Sequence, residues 1–367
     1  MLTSTPVQKI YKPIRLFWYE NYAERPISYQ AAIENGIRNA RGLVSLYPGD
    51  LYEDVQDLIG ATYGFERDQI ILGHGVEGLI HLIYKAYLGK RKTGGTISPS
   101  FFVFDNNLAR CKSVRVPAKI GETLNFRNFL ATIKKTDVFF LASPNKETGN
   151  YLLTIKQIET ILKTYNGLLV VDECYFGFGL KTVLPLVNKY KNLLVLRSIT
   201  KAEGLGGLRI GFGIGNRKII EKIRHYERDI EYDPINVFSL CILRQALPLF
   251  PKMWKISRKF YSDFYSLLKY RFPKDKITKA LCTHHFFDIS RYKVPEHKII
   301  SIMNENGYMM TTKTPVDNKS AISHFPGILA LTPPPREFWE DYVESLELAV
   351  SPNINADYDT VTFPISG

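Results

Sequence analysis

The sequence predicts an α/β fold in which a mostly parallel sheet is covered by helices on both faces. Between about Arg41 and Phe250, short apolar runs of strand length alternate with segments of helical periodicity. Four consecutive apolar residues before Asp172 are typical of a strand that is buried on both faces. Because both observations fall in one stretch of chain, we expect the sheet to lie in one large domain.

Three further segments flank this predicted large domain of residues 41–250. Residues 1–40 read as an aromatic and polar N-terminal arm, and residues 251–350 are expected to form a smaller α+β domain. That domain begins with an amphipathic helix whose apolar positions run from Ile256 to Leu267. Residues 351–367, rich in Asn, Asp and Pro, are predicted to be a loosely ordered tail.

The composition favours a cytoplasmic globular protein. With 367 residues, 45% of them hydrophobic, the chain can bury a large core. It contains no run of 18 apolar residues, and its first residues lack the features of a signal peptide. The cysteines have neither metal-site spacing nor the density of a disulfide framework, so we expect no metal. We expect four reduced, structural cysteines: Cys111, Cys174, Cys241 and Cys282.

The net charge of +12 at first suggests nucleic-acid binding. The basic residues, however, are spread over several segments and mixed with acids, and no recognised nucleic-acid-binding module accompanies them. They are typical of solvated helix faces, so we expect neither a nucleic-acid nor a membrane partner. Attraction of phosphorylated or other anionic small molecules is a milder use of the same charge.

Lys201 follows an apolar strand and precedes a glycine-rich stretch that ends at Arg209. A lysine amine in suitable surroundings can form a Schiff base with an aldehyde. Ser198, Thr200 and Arg209 could then supply hydrogen-bond donors and positive charge to a phosphate group. The alternative is a lysine at a strand end followed by a flexible surface loop.

Two other strand ends carry groups that would complete a site for an aromatic cofactor. Asp172 could pair with a protonated ring nitrogen, and Tyr175 could hydrogen-bond a ring oxygen. Asn145 follows the apolar run Val138 to Ala142, in a turn rich in Pro, Asn and Gly. In open α/β sheets, ligands bind at the carboxyl ends of the strands. An Asp-Glu strand also occurs in nucleotide hydrolases, but the phosphate-binding loop that they need is absent from the sequence.

Together these motifs resemble those of the fold-type I pyridoxal-phosphate enzymes, specifically the class I/II aminotransferases. The chain is most similar to the branch of histidinol-phosphate aminotransferase and threonine-phosphate decarboxylase, and the resemblance runs from about Ile10 to Leu348. In this sequence the motifs read Ser-Pro-Asn145-Lys-Glu-Thr-Gly, Val-Val-Asp172-Glu-Cys-Tyr175 and Ser198-Ile-Thr200-Lys201-Ala-Glu-Gly-Leu-Gly-Gly-Leu-Arg209.

The resemblance implies pyridoxal 5'-phosphate as the cofactor and a role for each motif residue. Lys201 would hold the cofactor as a Schiff base, Asp172 would pair with the pyridine nitrogen, and Asn145 and Tyr175 would bind the ring oxygen. Phe101 would stack on the ring. The phosphate would be bound at a helix N-terminus and by polar residues around the lysine: Gly75, Val76, Glu77, Ser198, Thr200 and Arg209.

Outside these motifs the resemblance implies substrate contacts and a partner subunit. Glu20 and Asn21 stand where the family has a segment that lines the substrate site, although only these two residues match it. Tyr47 stands where the family has a tyrosine that reaches the cofactor phosphate of the partner subunit. This implies a homodimer with shared active sites. Tyr47 could equally be a turn aromatic packed beside Pro48.

The sequence departs from the family near its C-terminus. Ala330 stands where aminotransferases of this branch carry an arginine that clamps the carboxylate or phosphate of the substrate. His285 lies in an altered segment, where it would either contact the substrate or be a polar residue at a strand start. Lys313 and Arg291 are candidate replacements for the missing cation.

We therefore expect an aminotransferase that acts on an amino acid or an amino-phosphate compound. A decarboxylase or an oxidase on the same scaffold is the alternative reaction, since all of these use the same electron sink. A non-catalytic binding protein that retained the cofactor site is the alternative class. The complete set of motif residues argues against it.

Overall fold

The computed structural model of the protein describes residues 12–310 and 325–351. Lys313 and almost all of the predicted tail lie outside these residues. The α-helices of the described chain are α1 (Ile27–Ala40), α2 (Gly49–Tyr63), α3 (Gly75–Tyr87), α4 (Phe102–Leu108), α5 (Phe126–Ile133), α6 (Ile155–Thr164), α7 (Phe176–Gly179), α8 (Arg217–Arg228), α9 (Val237–Ala246), α10 (Phe250–Arg271), α11 (Glu296–Glu305) and α12 (Trp339–Val350). None of them is long and apolar enough to cross a membrane.

Strands at Val138–Ala142, Leu168–Asp172 and Leu193–Ser198 coincide with apolar runs of the sequence. Among the described residues they are β1 (Ile14–Arg15), β2 (Ile70–His74), β3 (Thr93–Ser98), β4 (Lys112–Pro117), β5 (Val138–Ala142), β6 (Leu168–Asp172), β7 (Leu193–Ser198), β8 (Ile210–Gly215), β9 (Ile277–Thr278), β10 (His285–Asp288), β11 (Tyr308–Met309) and β12 (Ile328–Leu331). The buried strands predicted before Asn145, Asp172 and Lys201 are therefore confirmed.

The larger sheet has seven strands in the order β2-β8-β7-β6-β5-β3-β4. Only β8 runs antiparallel to its two neighbours, and the other pairings are parallel. Strand β6 is buried along its whole length, as expected for a parallel strand with helices on both faces. Helices α3 and α8 contribute apolar side chains to the core against this sheet. The predicted α/β class with a mostly parallel sheet is confirmed.

The chain divides into two compact units. The larger unit comprises Ala23–Phe260 and Ala280–Cys282 and contains the seven-stranded sheet. The smaller unit is built from the described parts of residues 1–22, 261–279 and 283–367. It contains the three-stranded sheet β12-β10-β9 and the parallel pair of β1 and β11. The domain boundaries inferred from the sequence stay predictions.

Helix α1 lies within the predicted N-terminal arm, where no helix was expected. Its buried residues, Tyr29, Ala32, Gly36 and Ala40, recur at intervals of three or four and form one helical face. This spacing was the sequence signal. The helix packs on α9. The approach is close at Gly36, where an added Cβ atom would lie 2.5 Å from the Cα atom of Ile242.

We predict that Gly36→Ala destabilises the protein. The methyl group has no space beside the α9 backbone, so the helices must move apart, at a cost of about 1–3 kcal/mol for an overpacked site. This outweighs the gain of up to about 1 kcal/mol in helix propensity. The free energy of unfolding, measured by urea denaturation, checks the expected loss.

Gly42→Ala is the matched control, because a Cβ atom at Gly42 would have no neighbour within 4 Å. This variant should keep the wild-type urea midpoint or exceed it slightly. Equal urea midpoints for the two variants would contradict the close α1–α9 contact.

Candidate functional site

The carboxylate of Asp172 lies at the carboxyl end of β6, in the middle of the larger sheet. The residue is only 7% exposed, and its Oδ1 accepts a hydrogen bond from the backbone N–H of Cys174 at 2.9 Å. Burial raises the pKa of this carboxyl, and hydrogen bonds from Cys174 oppose that effect. The charge of the neighbouring Glu173 also raises the pKa of Asp172. The carboxylate therefore suits a cationic group of a bound molecule.

Tyr175 follows β6 three residues after Asp172, and Lys201 follows the neighbouring parallel strand β7. The Nζ atom of Lys201 lies 5.9 Å from the ring centre of Tyr175, which is buried and precedes α7. The thiol of Cys174 lies within electrostatic range of both charges. Burial raises its pKa, the charge of Asp172 raises it further, and the charge of Lys201 lowers it. The three residues predicted to be catalytic thus follow or end two adjacent strands, and their catalytic roles stay predictions.

Asn145 follows β5, the neighbour of β6 on the side opposite β7. Its buried Oδ1 accepts hydrogen bonds from the backbone N–H groups of Glu147 at 2.8 Å and Thr148 at 3.2 Å. The two bonds orient the amide so that Nδ2 remains as its donor group. Asn145, Asp172 and Lys201 thus follow three adjacent parallel strands, at the sheet edge where α/β proteins bind ligands.

A second cluster lies where β2 meets α3. Gly75 begins α3 with a φ of +62°, and its N–H donates to the carbonyl of Arg209 at 2.8 Å. A Cβ atom on Gly75 would lie 3.1 Å from Nη2 of Arg209, and the same nitrogen is 3.5 Å from Oε2 of Glu77. The structure therefore groups Gly75, Val76 and Glu77 with Arg209. The N–H groups of a first helical turn beside a guanidinium suit a phosphate.

For the other predicted cofactor residues, the structure gives contacts within the protein or the exposure of the side chain. Ser198 ends β7, and its Oγ accepts the backbone N–H of Thr200 at 3.1 Å, which shapes the turn before the lysine. Phe101 precedes α4, and its ring packs edge-on against Phe104. Tyr47 is 96% exposed, so within a single chain it is a surface aromatic. The cofactor roles of these residues stay predictions.

A buried ion pair supports the segment after β6 and was not predicted from the sequence. Nε and Nη2 of Arg197 each lie 2.8 Å from Oε2 of Glu173, and both side chains are almost fully buried. The guanidinium also lies 3.6 Å from the ring centre of Phe176. Because Glu173 follows Asp172 and Phe176 follows Tyr175, the pair holds the backbone that carries both site residues. An arginine directly after four apolar strand residues was the available signal.

The predicted substrate residues lie in the smaller unit. Glu20 accepts a hydrogen bond from Nε of Arg15 at 3.0 Å, and Asn21 is partly buried. His285 is fully buried, with Nε2 2.7 Å from the carbonyl of Tyr261, and burial lowers its pKa to about 4. These contacts favour the simpler interpretation of His285, a polar residue at a strand start. The substrate roles of the three residues stay predictions.

Ala330, predicted to replace an arginine of the family, lies in the same unit. Ala330 is buried in β12 and pairs with Phe286 of β10. Nε of Arg291, a candidate replacement cation, lies 2.8 Å from Oδ1 of Asp275. The charge of Arg291 therefore already has a partner within the smaller unit.

Comparison with known proteins agrees with the geometry of the strand ends. The family model for aminotransferase class I and II matches residues 20–234, which is more than half of the chain. The chain belongs to this family. The family predicted from the motifs is therefore confirmed.

Several relatives are histidinol-phosphate aminotransferases. That of Sinorhizobium fredii is 32% identical over 228 residues, which are 61% of this chain and 59% of the relative. The chain thus spans less than two thirds of the length of the curated relatives that it matches.

Solved structures show the fold. Histidinol-phosphate aminotransferase from Sinorhizobium meliloti, solved in complex with pyridoxal-5'-phosphate, has a TM-score of 0.76 at 15% identity over 95% of this chain and 98% of its own. The threonine-phosphate decarboxylase of Porphyromonas gingivalis has a TM-score of 0.71 at 16% identity over 91% and 98%. A mixed α/β fold of this kind therefore serves more than one reaction.

Proposed function

We propose that this chain is a pyridoxal-5'-phosphate-dependent aminotransferase. The observation that carries the proposal is the buried carboxylate of Asp172 on the strand next to the one that leads to Lys201, with the N-terminus of α3 beside the Arg209 guanidinium in the same unit. The carboxylate would pair with the pyridine nitrogen of this cofactor, the lysine amine with its aldehyde, and the helix N-terminus with its phosphate. When bound, pyridoxal phosphate supplies an electron sink for chemistry at the α-carbon of an amino compound.

Different residues of the larger unit would bind the ring nitrogen, the ring oxygen, the ring face and the phosphate of the cofactor. Asp172 would balance the positive charge of the pyridine nitrogen, and Asn145 and Tyr175 would donate hydrogen bonds to the ring oxygen. Phe101 would cover one face of the ring. The phosphate would be held by Gly75, Val76, Glu77, Ser198, Thr200 and Arg209.

Lys201 would serve both as the attachment point and as the base. Its amine would bind the aldehyde at rest. After a substrate amine displaces it, the amine of Lys201 would take the proton from the substrate α-carbon and return it at the adjacent cofactor carbon.

We infer that the substrate is a small amino compound. A decarboxylase, an oxidase or a non-catalytic cofactor-binding protein would use the same residues, and the comparisons favour none of them. Single-turnover reactions with a panel of amino donors distinguish these outcomes. Amine transfer to an oxo acid supports the proposal, whereas release of carbon dioxide or hydrogen peroxide, or no reaction with any donor, contradicts it.

A homodimer with shared active sites is part of the proposal. Its support is the 96% exposure of Tyr47 and a group of exposed apolar residues in the larger unit. That group includes Ile27, Val44, Leu46, Ile230 and Tyr232. A cytoplasmic location stays a prediction. The cysteines, which form no disulfide, are compatible with it.

We predict that borohydride reduction of the protein with pyridoxal phosphate attaches a phosphopyridoxyl group to Lys201. Peptide mass mapping locates the adduct. In the control variant Lys189→Ala, which alters a surface lysine paired with Glu159, labelling at Lys201 should be unchanged. Labelling elsewhere, with Lys201 unmodified in cofactor-saturated protein, would contradict the proposal.

The substrate can be tested at Ala330. Without the arginine of its relatives, the chain should bind dicarboxylic donors such as glutamate weakly. Ala330→Arg should accelerate the glutamate half-reaction by about 10-fold or more, since a bidentate ion pair contributes roughly 1.5–3 kcal/mol. The rate is measured from the cofactor absorbance under single-turnover conditions.

Ala330→Met is the matched control, because it adds similar length without charge and should not accelerate the reaction. Fast wild-type turnover of glutamate that Ala330→Arg abolishes would show that Ala330 does not occupy the position of the family arginine.

A further inference from the structure

Lys201 begins a tight turn of the chain after β7. The backbone N–H of Gly204 donates to the carbonyl of Lys201 at 3.2 Å and closes the turn. A second bond, from the N–H of Leu205 to the carbonyl of Ile199 at 3.0 Å, closes a wider loop around it. The backbone of the lysine is therefore part of a closed segment, residues 199–205, which we call the lysine turn.

Side chains from outside the lysine turn donate to three consecutive backbone carbonyls within it. The bonds run from Oγ of Ser257 to Ala202 at 2.7 Å, from Oη of Tyr29 to Glu203 at 2.8 Å, and from Nη2 of Arg25 to Gly204 at 2.8 Å. Two of the donors lie in helices, Ser257 in α10 and Tyr29 in α1. The larger unit therefore fixes the turn by its backbone as well as by its packing.

The bond from Tyr29 lies in the interior of the protein. Tyr29 is fully buried, and Glu203, whose carbonyl accepts the bond, is 5% exposed. A buried carbonyl that loses its donor is left unsatisfied, which costs more free energy than the loss of an exposed hydrogen bond. Without the hydroxyl of Tyr29, the lysine turn must shift or open to find another partner.

Other contacts restrict the same turn. An added Cβ atom on Gly177 of α7 would lie 2.4 Å from the Cβ atom of Ala202, so the backbone of α7 already lies close to the turn. The indole Nε1–H of Trp254 donates to Oε1 of Glu203 at 2.5 Å. A lysine side chain is a flexible four-carbon stem, so the reach of its amine depends on where its backbone is held.

We propose that Tyr29 is a positioning residue for Lys201. Its hydroxyl, through the carbonyl of Glu203, holds the lysine turn in the conformation from which the amine reaches the cofactor aldehyde. Ser257 acts in the same way on the preceding carbonyl. The proposal rests on the proposed function, because it takes Lys201 to be the attachment point of the cofactor.

The variant Tyr29→Phe tests the role, because it removes the hydroxyl and keeps the ring. Tyr165→Phe is the matched control. Tyr165 is also buried in the larger unit, and its hydroxyl is 2.9 Å from that of Thr136. It precedes β6, so it lies at the amino end of this strand, whereas the lysine turn follows the carboxyl end of the parallel strand β7.

The first experiment measures backbone hydrogen exchange in the protein without cofactor. The amides of Gly204 and Leu205 close the lysine turn, so their exchange reports its opening. In Tyr29→Phe these amides should exchange about 10-fold faster than in Tyr165→Phe, as expected when one buried hydrogen bond is lost. Equal exchange of these amides in the two variants would overturn the proposal.

The second experiment measures how fast pyridoxal phosphate attaches to Lys201, from the change in its absorbance after mixing. Attachment should be slower by about 10-fold or more in Tyr29→Phe, because a displaced amine meets the aldehyde less often in a productive geometry. Tyr165→Phe should react at the wild-type rate. Binding of pyridoxine 5'-phosphate, which has an alcohol in place of the aldehyde, should be equal in all three proteins, since it does not use the lysine amine.

The outcomes separate this proposal from the proposed function. Equal attachment rates in Tyr29→Phe and the wild type overturn the positioning role and leave the proposed function intact. Attachment to none of the proteins, the wild type included, contradicts the proposed function and the positioning role with it. If Tyr29→Phe folds poorly, Ser257→Ala takes its place, because it removes the donor to the neighbouring carbonyl. Exchange and attachment like those of Tyr165→Phe would then overturn the proposal.

Discussion

The buried carboxylate of Asp172 is the constraint on which the rest of the site depends. Asp172 is the last residue of β6, a parallel strand that is buried on both faces, so its carboxyl is shielded from water. Burial favours the neutral form of this acid. Cys174 supplies hydrogen bonds that lower the pKa of this carboxyl, and the charge of Glu173 raises it. A cationic group of a bound molecule would balance the ionised carboxylate, and without one burial favours the protonated acid. The neighbouring carboxylate of Glu173 differs from that of Asp172, because the protein itself supplies its cationic partner, Arg197.

Much of this arrangement could be predicted because it is encoded locally. Asn145, Asp172 and Lys201 each follow an apolar run, and the carboxyl ends of adjacent parallel strands meet at one edge. The contacts of Glu203 could not be predicted, because they come from Tyr29 and Trp254, which are distant in the sequence. Helix α1 was not predicted, because the aromatic and polar composition of residues 1–40 hides the helical spacing of its buried residues.

In the smaller unit, the surroundings of Ala330 could not be predicted from the sequence. The sequence predicts that Ala330 replaces an arginine of the family, but it could not show what surrounds that position. In the structure Ala330 faces Phe286 across the strand pair, and His285 is a neutral core residue bonded to the backbone of Tyr261. Arg291 is paired with Asp275. A change of substrate class at this strand stays a proposal.

The central claim, that Asp172 awaits a cationic partner, is tested most directly by thermal unfolding of wild type and Asp172→Asn with and without pyridoxal phosphate. Without cofactor, Asp172→Asn should unfold at the wild-type temperature or above, because it removes an uncompensated buried charge. With saturating cofactor, the wild type should gain more stability than the variant, because only the carboxylate balances a protonated ring nitrogen. Equal stabilisation of both proteins by the cofactor would contradict the account.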